Sequence, residues 1–256
     1  MYTIQPATIA NDLHVKLVSA LVSSSHYLST SSGAFVRFSD ELDTLGKVDA
    51  VSRSLLLVLL YTMAGDRERC EYYLDNAQRL HADKDHVELA RLTMLLNLGY
   101  FSEAIPFISM LRPPQFGLPT LLMLKPPCNG AFHTLTSLFD QAAKMNLLNG
   151  PTEPVSLRPA TAIMDEWGDT DEDYAAALDI AGAIMREHRL VFVDDIQVET
   201  VLQPADGSPS YVKLCYQVDV DLDTSIELTL EYADRLAQSG KKIPPSLVFE
   251  FEGARH

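Results

Sequence analysis

Residues 65–80 read GDRERCEYYLDNAQRL and residues 99–111 read GYFSEAIPFISML. Each stretch opens on glycine and places a small residue five positions later, Cys70 in one and Ala104 in the other, and the two glycines are 34 residues apart. From Gly65 the apolar series runs Cys70, Leu74, Ala77, Leu80; from Gly99 it runs Phe101, Ala104 or Ile105, Ile108, Leu111. That spacing of three or four is the pattern of a helix packed on one side. Each stretch follows another helical pattern, Val51 to Met63 and Val87 to Leu98, so the unit is helix, glycine turn, helix. Two such units cannot each bury their apolar faces alone, and stacking removes that difficulty.

Outward from the pair, Gly33 and Gly130 precede further amphipathic segments, which makes the glycine spacings 32, 34 and 31. Gly130 is followed twelve positions on by Ala142, as Gly65 is by Ala77. Between them, residues 112–130 carry five prolines and read as irregular or extended. An α-helical repeat array over roughly 10–148 is therefore expected, within an N-terminal domain of residues 1–150.

GDRERCEYYLDNAQRL resembles the second half of a tetratricopeptide repeat, with Gly65 and Asp66 at the turn and Cys70 and Ala77 at the small-residue positions. GYFSEAIPFISML is similar, with Gly99, Phe101 and Ala104 in matching places, while Leu111 stands where a small residue belongs. The resemblance implies a concave groove that takes an extended peptide or helix. One clamp of that family holds acidic C-terminal peptides with Lys, Arg and Asn on the first helix of each unit. Here those helices offer Arg53, Arg91 and Asn97 as binding residues.

After NGPTEPVSLRP the period changes from 3.6 to 2. Ile196, Val198, Thr200 and Leu202 alternate with Gln197, Glu199 and Gln203, DGSPS turns the chain, and Val212, Leu214, Tyr216, Val218 and Val220 alternate again: a hairpin with one buried face. Thr224 and Glu227 have the spacing of a capping box, and Ile226, Leu230, Ala233 and Ala237 line one side of the helix that follows. Leu247, Phe249 and Phe251 read as a last strand. With a helix over 172–188 in front the order is αββαβ, and a strand at Ala160–Met164 would make it βαββαβ, the ferredoxin-like order. The expected fold class is α+β: an all-α repeat domain followed by a small α+β domain over 151–256.

The acidity belongs to that second part. Residues 1–150 hold 12 Lys and Arg against 14 Asp and Glu, whereas residues 151–256 hold 8 against 21, a net of −13. Such a surface repels nucleic acid backbones and anionic membranes, since phosphate contacts need cations it lacks. A basic protein partner fits the charge. The longest apolar run, Leu55 to Tyr61, falls far short of the roughly 20 residues that span a bilayer and reads as a buried helix. Three widely separated cysteines and an N-terminus without an export pattern point to the cytoplasm.

Tests for chemistry return little. Asp165 in AIMDEW and Asp194 and Asp195 in FVDD follow short apolar runs, as acids do that hold two metal ions in nucleotidyl transfer. No basic or glycine-rich element accompanies them to hold a triphosphate. Asp219, Asp221 and Asp223 begin like a calcium loop, but Thr224 and Leu230 occupy the positions that need glycine and glutamate. No histidine pair has metal spacing, no cysteine has an evident base, and no cofactor is implied. The expectation is a non-catalytic interaction protein, an adaptor, chaperone or neutralising partner of another protein. The alternatives are a metal-dependent nucleotidyl-transfer enzyme using Asp165, Asp194 and Asp195, and a small-ligand sensor.

Overall fold

A computed structural model describes residues 6–111, 129–147, 156–191, 197–202 and 209–253. By contact the chain forms two compact units, Met1–Leu98 with Arg189–Val193, and Gly99–His188 with Asp194–His256. In this grouping the residues from Gly99 to His188 fall together with the sheet.

The first unit holds α1 (Pro6–Val22), α2 (Gly33–Gly46), α3 (Ala50–Ala64), α4 (Arg67–Arg79) and α5 (Lys84–Asn97). α3 carries the LLLVLLY run and packs against α1, α2, α4 and α5. It is buried on nearly every side, as a helix that is apolar all round must be. Asp49 caps its first turn by accepting the Ser52 N–H, and Gly65 ends it in the left-handed conformation at φ 74°. A Cβ on Gly65 would also lie 2.6 Å from the Tyr27 ring, so glycine is required there for both backbone and space. Asp66 then caps α4 through the Arg69 N–H. The helix–glycine–helix reading of residues 51–80 is thus realised in α3 and α4, with Cys70, Leu74 and Ala77 fully buried. Gly99 and Gly130 share the left-handed conformation, whereas Gly33 starts α2 after the Ser32 cap. The first unit is a helical array.

In the second unit α6 (Phe101–Met110), α7 (Phe132–Lys144), α8 (Leu157–Trp167) and α9 (Asp171–Glu187) precede the sheet, and α10 (Leu222–Gln238) is inserted in it. Pro106 lies inside α6, and Tyr100 at the N-cap position makes no side-chain cap. The Ser102 N–H in its first turn is satisfied from outside the helix, by the Asp179 carboxylate of α9 at 3.1 Å.

The sheet is β1 (Gln197–Val201), β2 (Tyr211–Val218) and β3 (Leu247–Gly253), in that order. β1 and β2 are antiparallel, pairing Val198 with Leu214, and β2 and β3 are parallel, pairing Leu214 with Phe249, with α10 as the crossover. The alternation of β2 buries Val212, Leu214, Tyr216 and Val218 completely. Ala160–Met164 is not a strand: it lies in α8, where Leu157, Ala160, Ile163 and Met164 are buried at helical spacing and Gly168 forms a left-handed C-cap. The described order is therefore αααα-ββαβ, and the ferredoxin-like order is not formed. α10 begins at Leu222 with Asp221 as its cap, accepting the Thr224 N–H at 2.7 Å, so the expected Thr224–Glu227 box is not used.

Candidate functional site

The three residues expected to bind through the array are engaged within it. Arg53 on α3 holds Asp43 with Nη2 at 2.6 Å and Nε at 3.2 Å, at the rim of an open cleft that Lys47, Ser54 and Asn76 also line. Arg91 on α5 is paired with Glu71 of α4. Asn97 donates to the Thr93 carbonyl one turn earlier on the same helix. Neither α3 nor α5 carries an exposed large apolar side chain, so these first helices of each unit present no apolar groove.

Of the acidic set, Asp194 and Asp195 lie outside the described residues. Asp165, exposed on the last turn of α8, sits 3.1 Å from Nε2 of His133. The other ring nitrogen of His133 is 3.0 Å from Asp171, and that buried carboxylate also accepts the N–H groups of His133 (2.9 Å) and Thr134 (2.8 Å). α7 has no side-chain cap of its own, so Asp171, the first residue of α9, caps it from a distance of 38 residues in sequence. Burial works against the charged imidazole, but the hydrogen bonds to Asp165 and Asp171 outweigh it and raise its pKa. The imidazole thus ties α7 to both α8 and α9. Among the described residues, no group of three His, Cys, Asp or Glu side chains is placed to hold a metal ion.

A second polar cluster is buried. Asp169, 3% exposed, accepts from the Ser246 hydroxyl (2.5 Å) and N–H (3.2 Å), and the Lys242 ammonium lies 3.1 Å from its other oxygen. Tyr174 shares its hydroxyl with Ser246 at 2.8 Å, and Lys242 also meets Asp173 at 2.6 Å. Ser246 is wholly buried, which closes it to any substrate and makes the cluster a tie between α9 and the start of β3. Cys70 and Cys215 are buried too, and burial pushes both thiols up to about 12, away from nucleophilic use.

Exposed large apolar side chains are scattered over the described residues, and on α10 three of them share one face. Its inner side packs on β3: Leu228, Tyr232 and Leu236 are buried, and the Tyr232 ring lies 4.3 Å from that of Phe249. Its outer side carries Leu222 (70% exposed), Ile226 (50%) and Leu230 (62%), continued by exposed Ala233 and Ala237. At 3.6 residues per turn these five fall within an arc of about 80° and extend over about 22 Å. Asp223, Glu227 and Asp234, all exposed, occupy the next arc to one side. None of the three takes part in an ion pair among the described residues. The side lined by Ile226, Leu230, Ala233 and Ala237 is thus the outer one, and the helix is apolar on two sides.

No protein-family model, curated protein or solved structure matches the chain. No helix among the described residues is long and apolar enough to cross a membrane.

Proposed function

We propose that this is a non-catalytic interaction protein, an adaptor or chaperone-like partner of another protein, whose binding surface is the outer face of α10 in the acidic unit. One observation supports it above the rest: a helix already packed on the sheet through Leu228, Tyr232 and Leu236 keeps a second row of large apolar side chains in water. Single exposed apolar residues are ordinary, but a continuous row on one helix face is a feature of interaction sites. The tetratricopeptide-like reading of the array remains part of this proposal as a scaffold, with Arg53, Arg91 and Asn97 in structural rather than binding roles. The reading is tested by affinity purification of the full chain beside its Ile226→Ser/Leu230→Ser variant, followed by mass spectrometry. A protein recovered with the parent and lost with the variant supports the surface. Equal recovery by both removes it.

A further inference from the structure

We propose that the outer face of α10 receives a basic amphipathic helix of a partner protein, laid along the row from Leu222 to Ala237 with Lys or Arg side chains over Asp223, Glu227 and Asp234. This rests on the interaction reading above and adds the chemistry of the partner. The row is a narrow seam about 22 Å long, which matches one helix of about 15 residues docked by its own apolar stripe.

Its two borders differ. On one side Thr229 accepts the Phe251 N–H at 2.9 Å, which fastens that edge of α10 to β3 and places an uncharged side chain there. The other border is the acidic one. Among the described residues, nearby cations are engaged elsewhere: Arg235 by Glu187 and Glu231, Lys241 by Asp179, Lys242 by Asp169 and Asp173, and Lys213 by Glu250. The unpaired negative charge therefore faces outward beside the apolar seam, and positive charge on the docking helix meets it.

A second copy of this chain is disfavoured by the same geometry. In an antiparallel two-fold pairing of α10 with itself, each border meets its own equivalent, which sets Asp223, Glu227 and Asp234 against the same acids.

The test uses the full chain and two labelled helical peptides of about 18 residues with the same leucine stripe, one bordered by Lys and Arg, the other by Glu. In fluorescence anisotropy at low salt the basic peptide is expected to bind at least tenfold more tightly. The gap narrows at high salt as the charges are screened. It reverses in the Glu227→Lys/Asp234→Lys variant, and Leu230→Ser weakens both peptides. Equal affinity for the two peptides, or measurable binding of neither, overturns the proposal. So does self-association in sedimentation velocity that Leu230→Ser abolishes, which would assign the face to a second copy. If a cellular partner is lost with Ile226→Ser/Leu230→Ser while the peptides show no charge preference, only this inference falls and the interaction reading stands.

Discussion

Ile226 and Leu228 lie two residues apart on α10 and on opposite sides of it: Ile226 is 50% exposed and Leu228 only 2%. That contrast carries a stability test. Leu228→Ala removes packing against the sheet and is expected to cost about 2–4 kcal/mol. Ile226→Ser is expected to change stability by no more than about 0.5 kcal/mol. Urea unfolding followed by circular dichroism reads both, and an Ile226→Ser cost as large as that of Leu228→Ala would mean that the outer face is not free.

Gly182 on α9 meets the turn before α6. A Cβ at this position would lie 2.1 Å from the Gly99 carbonyl oxygen and 2.8 Å from its Cα, and the Arg186 guanidinium already donates to that oxygen at 2.8 Å. Both neighbours of the added methyl are backbone, so relief needs the helices to part. Gly182→Ala is expected to destabilise the second unit by about 1–3 kcal/mol, read as a lower midpoint in the same urea experiment. An unchanged midpoint would mean that α9 and the Gly99 turn do not approach so closely.

His133 makes the second unit sensitive to pH in a stated direction. Its pKa is raised in the folded state by the hydrogen bonds to Asp165 and Asp171 working against burial. Its contribution is therefore fully present below its unfolded value of about 6.5 and is lost as pH rises through the folded pKa. Stability measured from pH 5 to pH 8 is expected to fall across that window in the parent and to lose this component in His133→Gln. A parent and variant with parallel profiles would contradict it.

The Tyr232 hydroxyl is buried with no hydrogen-bond partner among the described residues. Burial raises its pKa and keeps it protonated. An unsatisfied buried hydroxyl costs about 1–3 kcal/mol, so Tyr232→Phe, which keeps the ring against Phe249, is expected to stabilise by about 1 kcal/mol in thermal unfolding. A loss of stability would show that the hydroxyl has a partner.

Much of the architecture was legible because it rests on local patterns. The LLLVLLY run reads as a buried helix and is α3, the alternation of Val212, Leu214, Tyr216 and Val218 reads as a half-buried strand and is β2, and Gly65 marks a real turn. Ala160–Met164 misled because four or five apolar-rich residues fit a strand or a helix equally, and length and the Gly168 cap decide for helix. α10 misled for a different reason. Its sequence holds two apolar arcs, and the sheet beneath chooses between them, through the Tyr232 ring packed at a tilt on Phe249. The relative bulk of Leu228, Tyr232 and Leu236 against Ala233 and Ala237 was the one local signal for the correct choice.

The polar sites were less legible still. Arg53 and Arg91 look available in sequence because their partners, Asp43 and Glu71, lie on neighbouring helices. Asp169 and Ser246 are 77 residues apart, and nothing local connects them.

Site-specific photo-crosslinking shows whether the outer face of α10 holds a partner. A photoreactive amino acid is placed at Leu230, on the outer face of α10, or at Val15, a 65% exposed apolar position on α1, and the full chain is irradiated in the cells that produce it. The expected result is a discrete protein adduct from position 230, absent from position 15, whose crosslinked segment is a helix with Lys or Arg beside its apolar stripe. Adducts from position 15 alone, or the same adducts from both positions, would contradict the assignment of α10 as the binding surface.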